Sequence, residues 1–95
     1  MQMLMIVGST TLKEEIEDFL KSAGLLFFTL IPYVLGHGKA GGPRFDDEVW
    51  PGHNSIYLLA VDETNKKLVN EWIKDYRKNE KREGLKLFSW KLQEC

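Results

Sequence analysis

The chain has 95 residues, 43% of them hydrophobic, with 13 basic against 14 acidic side chains and a formal charge of -1. That length suits one domain with a small core, and that balance gives no overall field for nucleic acid or an anionic membrane surface. The single cysteine, Cys95, excludes an internal disulfide framework and a cysteine-based zinc site within one chain, which points to a reducing cytoplasm.

The opening "MQMLMIVGSTTLKEE" lacks a basic n-region and a small-residue cleavage site, so residues 3–7 read as a buried strand that turns at Gly8 and Ser9. Thr11 and Glu14 have capping-box spacing, and Leu12, Ile16, Phe19, Leu20 and Ala23 share the inner face of the helix that follows. Gly24 is placed to take the left-handed cap. Residues 25–35 are rich in β-branched and aromatic side chains and read as a second strand, with Pro32 requiring a sheet edge or a bulge. A long glycine-rich loop spans 36–53, and residues 54–61 read as a third strand.

Asp62 or Thr64 can cap a second helix whose inward stripe is Leu68, Val69, Trp72, Ile73 and Tyr76. A charged tail carrying Lys74, Arg77, Lys78, Lys81 and Arg82 leads to Gly84. Residues 85–92 read as a fourth strand, with Phe88, Trp90 and Leu92 on one face and Leu87, Ser89 and Lys91 on the other. The order β-α-β-β-α-β predicts an α+β, ferredoxin-like domain over residues 1–95 with one antiparallel four-stranded sheet. No apolar run approaches the roughly 20 residues that a membrane-spanning helix needs. Three of the strands are apolar on both faces, however, so the face without helices must be buried, and another copy of the chain is the expected cover.

The loop "LGHGKAGGPRFDDEVWPGHNS" concentrates the functional candidates. Gly36, Gly38 and Gly41 match a dinucleotide fingerprint, with Asp62 downstream, but a strand follows where that chemistry needs a helix N-terminus. Pro43 stands where a phosphate-loop lysine would be required. What remains is a run of unhindered backbone N–H groups able to line an anion site, with Lys39 and Arg44 supplying charge, or glycines that only let the chain bend. His37 and His53 at the feet of the loop, with Asp46, Asp47 or Glu48 at its tip, have the donor types of a divalent metal site or are surface hydrogen-bonders. Phe45 and Trp50 either anchor a partner or pack at the loop base. Two loop histidines and a terminal cysteine give no nucleophilic triad, so an enzyme is not expected; hydrolysis of a nucleotide would have only the acidic triplet to draw on.

The predicted element order, together with Gly36, Gly38, Lys39 and Gly42 in the pattern G-x-G-[RK]-x-x-G, resembles the PII signal-transduction family, in particular PII-like members with a shortened T-loop. The resemblance implies a homotrimer, with small effectors in clefts between subunits and a loop that docks onto a regulated transporter, channel or enzyme. The implied ligand-binding residues are Gly36, His37, Gly38, Lys39, Gly41, Gly42, Arg44 and Lys86, and the implied partner-binding residues are Phe45 and Trp50. The effector expected is an adenine nucleotide or another small anion. Loop 36–53 contains no tyrosine, so the uridylylation known in nitrogen-regulating members has no acceptor there. The rival expectation is a metal-binding trimer, similar in fold to the CutA proteins, that uses His37 and His53. Neither reading involves nucleic acid or membrane insertion.

Overall fold

The computed structural model describes residues 1–36, 53–79 and 84–95. Strand β1 (Gln2–Ser9) leads through a 3-10 turn (Thr10–Leu12) into helix α1 (Lys13–Ser22). Strands β2 (Thr29–Leu35) and β3 (His53–Val61) follow, then helix α2 (Glu63–Asn79) and strand β4 (Leu85–Lys91). The four strands form one open sheet in the order β2-β3-β1-β4, and every neighbouring pair is antiparallel. The fold is therefore α+β.

Local chemistry accounts for the ends of the elements. The Ser9 hydroxyl accepts from the Thr11 amide at 3.2 Å, so the side-chain cap of the first turn lies two residues upstream of Thr11. At the other end of α1, the Leu25 amide donates to the Leu20 carbonyl and the Gly24 amide to that of Lys21, with Gly24 at φ +75°. This is a Schellman closure, and Leu20 and Leu25, the residues it joins, are both buried in the core. Of the two residues able to cap α2, Asp62 does so, accepting from the Asn65 amide at 2.9 Å. The second strand is shorter than the apolar run encoding it: it starts at Thr29, and Leu26 and Phe27 are exposed. It forms a sheet edge, and its register shifts between Ile31 and Val34, on either side of Pro32. The missing proline N–H thus falls where ladder pairing is already interrupted.

Both helices pack on one face of the sheet. Ile16 and Leu20 of α1 and Val69 and Ile73 of α2 close a single core with Leu4, Ile6, Tyr57, Leu59, Val61 and Leu85. Leu68, expected in the inward stripe of α2, is 43% exposed; the sheet meets the helix along Val69 and Ile73, with Trp72 and Tyr76 at the margin. On the opposite face the strands present Met3, Met5 and Val7 from β1, Ile56, Leu58 and Ala60 from β3, and Phe88 and Trp90 from β4. None of these residues is buried, and Phe88 and Trp90 are about half exposed.

Among the described residues the largest fully buried side chain, Tyr57, is polar at its tip. Its hydroxyl donates to Glu17 Oε2 at 2.8 Å, and Lys13 Nζ lies 3.1 Å from the same oxygen. Burial and the adjacent carboxylate push the Tyr57 phenol well above its ordinary range. Burial alone would raise Glu17, but the Tyr57 hydroxyl and the Lys13 ammonium outweigh it and hold the carboxyl below 4.5. Glu17 therefore contributes stability above its ordinary value that disappears as pH falls through the lowered folded value. Tyr57 has the opposite sign: its contribution is complete below the ordinary value of 10.0 and falls as pH rises, because the unfolded phenol ionises first.

Tyr57→Phe is expected to cost about 1–2 kcal/mol in urea unfolding at neutral pH, since it removes a hydrogen bond to a charged acceptor. It should also remove part of the alkaline decline in the urea midpoint. A variant whose alkaline limb superimposes on the parent's would show that the phenol does not couple ionisation to folding. Glu17→Gln should flatten the acid limb, measured the same way below pH 4.5.

Candidate functional site

The two described ends that flank most of the expected site residues are the end of β2 and the start of β3, on either side of residues 37–52. Leu35 pairs with His53 and Val34 with Asn54, so the two feet of the loop are neighbouring strand ends. The antiparallel pairing puts the end of β1 and the start of β4 at this same end, with Ser9 opposite Asn54 and Gly8 opposite Leu85.

Residue chemistry fixes the feet. The Tyr33 hydroxyl and His53 Nε2 are 2.7 Å apart and share a hydrogen bond, while the two rings sit 4.5 Å apart in a tilted contact. Next to them, the fully buried Ser55 hydroxyl donates to the Pro32 carbonyl at 3.1 Å, across the interrupted stretch of the ladder. That bond ties the irregular part of β2 back to β3. A Cβ at Gly36 would stand 2.9 Å from Asn54 Nδ2, the end of a side chain that can turn aside, so the chain passes close to itself here without requiring glycine. Close approach at this foot therefore exists within the chain itself, before any ligand is considered.

Of the expected ligand-binding residues, Gly36 and Lys86 are described, and they lie apart. Gly36 follows the edge strand β2, whereas Lys86 pairs with Val7 on the opposite edge strand, β4. Three strand spacings of about 4.8 Å separate those edges, roughly 14 Å in all. Their faces also differ. Strand alternation puts His53 on the helical side with Ser55 and Tyr57, and Lys86 on the open side with Phe88 and Trp90. A single chain therefore does not bring Lys86 beside the loop feet.

The candidates His37, Gly38, Lys39, Gly41, Gly42, Arg44, Phe45 and Trp50, with the acidic triplet 46–48, lie outside the described residues. The expected meeting of His37 with His53 falls there too. Among the described residues no group of three or more histidine, cysteine, aspartate or glutamate side chains is placed to hold a metal ion. Likewise, no helix among them is long and apolar enough to cross a membrane. Sequence reasoning missed the Tyr33–His53 pair, whose members are 20 positions apart. Its one usable signal was the aromatic residue directly after Pro32, at the point where a bulge reorients side chains.

Ser55→Ala is expected to cost about 1 kcal/mol, because it leaves a part-buried carbonyl unpaired, and His53→Ala less, since the pair it breaks is open to water. Urea denaturation of both variants tests this order. The reverse order would make the exposed aromatic pair the chief tie between the feet.

No protein-family model matches the chain, and no curated protein matches it.

Proposed function

We propose that this chain is a non-enzymatic, PII-like regulatory protein of the cytoplasm. It assembles as a homotrimer, binds a small anionic effector between subunits and engages a regulated protein through loop 36–53. The observation that carries this reading is the open sheet face, where apolar side chains from β1, β3 and β4 form one continuous surface. Contiguous apolar patches beyond a few hundred Å² are rare on monomers and mark interfaces. The strand order β2-β3-β1-β4 supports a ferredoxin-like arrangement, the fold the resemblance implies.

Assembly also answers the separation of the candidate residues. Gly36 and Lys86 belong to opposite sheet edges of one chain, but copies packed by their open faces around a threefold axis set the β2 edge of one near the β4 edge of the next. Lys86 of one copy and the glycine-rich foot of another then flank one cleft. Backbone N–H groups of the loop, Lys39, Arg44 and Lys86 supply the donors for a phosphate-like group. Effector binding acts by favouring one loop conformation over others, through contacts that only that conformation offers.

Sedimentation equilibrium of the purified chain should give three chains per particle at micromolar concentration, and Phe88→Glu, at a position already 48% exposed, should give monomers with unchanged circular dichroism. A monomeric parent, or a variant that remains trimeric, overturns the assembly. Calorimetry with ATP, ADP and orthophosphate tests the effector: the Lys39→Ala, Lys86→Ala double variant should bind at least about tenfold more weakly than the parent. Absence of heat with all three compounds removes the anionic effector from the proposal.

A further inference from the structure

The layer opposite the open sheet face carries a second feature. Glu15, Asp18, Phe19 and Ser22 recur along one stripe of α1 at helical spacing and, with Trp72 and Tyr76 of α2, line a shallow, wide-open cleft of about 410 Å³ on the surface between the helices. Its floor is aromatic. The Phe19 and Trp72 rings stack with centroids 4.4 Å apart and planes 8° from parallel, and Tyr76 lies 5.8 Å beyond Trp72 at a 40° tilt. The rim is acidic. The Tyr76 hydroxyl donates to Glu15 Oε1 at 3.3 Å, which ties one carboxylate to the aromatic ladder across the cleft. Among the described residues neither Glu15 nor Asp18 forms a salt bridge, and no basic side chain lines the cleft.

We propose that this cleft receives an arginine side chain presented by a partner polypeptide. Ring faces and two carboxylates make a negative environment that rejects anions. A hard divalent cation is also a poor match, because it needs about six oxygen ligands and two carboxylates on a helix stripe supply too few. A guanidinium satisfies both halves of the lining, since its plane lies against aromatic surface while its N–H groups donate to carboxylates. Strength decides how the guanidinium is carried. One aromatic contact and two solvated carboxylates hold a free guanidine at only about millimolar concentration, so a specific occupant needs flanking contacts that a polypeptide supplies. The cleft is on the helical side of the sheet, so it is available in the monomer and in face-packed assemblies alike. The inference does not rest on the role of loop 36–53.

The test is a titration followed by the NMR signal of the Trp72 indole N–H, assigned with Trp72→Phe. The probes are a capped peptide with a central arginine, the same peptide with citrulline or lysine, and agmatine. The arginine peptide is expected to shift the Trp72 signal, to bind at least about fivefold more tightly than agmatine and the other peptides, and to weaken as salt rises. The Glu15→Gln, Asp18→Asn double variant changes two exposed side chains and is expected to keep its fold while losing at least about fivefold in affinity. No shift of the Trp72 signal up to about 10 mM peptide overturns the site. Equal binding of the citrulline peptide, or unchanged affinity in the double variant, overturns the role of charge. Equal binding of lysine overturns guanidinium recognition, and agmatine matching the peptide overturns the polypeptide occupant.

Discussion

A strand's period of two governs this molecule. Turning Leu4 and Ile6 of β1 toward the helices necessarily turns Met3, Met5 and Val7 the other way, and in β3 the inward Tyr57, Leu59 and Val61 send Ile56, Leu58 and Ala60 outward. No register avoids this, because a one-residue slip would exchange one apolar set for the other. The sheet therefore has two apolar faces, and among the described residues helices cover one.

The covered face meets its polar requirements through side chains far apart in sequence. Tyr57 fills the centre of the core, and its hydroxyl reaches the edge of α1, where it donates to Glu17, whose same oxygen is paired with Lys13. This links the middle strand to the first helix by chemistry with a definite geometry, whereas apolar contact alone tolerates small shifts of one layer over another. The ladder of Phe19, Trp72 and Tyr76 ties α1 to α2 in turn, and the Tyr76–Glu15 bond closes that contact at the surface. The helical layer is thereby fixed both to the sheet and within itself.

Most of this frame was legible in the sequence because it is set by local rules. Gly24 marks a left-handed turn, Asp62 a cap and Pro32 a sheet edge or bulge, and each needs only a few neighbouring residues to act. The apolar residues of α1 likewise fall along the face they were expected to share. The failures occur where long-range packing decides. Leu68 and Val69 are equally apolar, and only the sheet's position determines that Val69 is buried and Leu68 is not. Leu26 and Phe27 have strand chemistry, yet the chain spends them before β2 begins, since Gly24 and buried Leu25 must first close the helix. The Tyr57–Glu17 bond, across 40 positions, leaves no local pattern. For the candidate site, residue types and strand ends were readable, but the placement of Lys86 on the far edge depends on strand order, which no local motif encodes.

The edges bear on how the exposed face is covered. Along β2 the ladder is irregular around Pro32, which lacks an N–H, and β4 carries Lys86 and Lys91 at its two ends. Proline, bulges and lysine are the usual devices that discourage strand-to-strand extension of a sheet. Edge pairing is open-ended, because each added copy presents a fresh edge, whereas packing by one face around a symmetry axis closes after a fixed number of copies. The same sequence thus discourages the unbounded mode at its margins and presents its apolar residues where the bounded mode needs them. In the proposed closed assembly the effector cleft would take one wall from each of two copies, and the helical layer would face water.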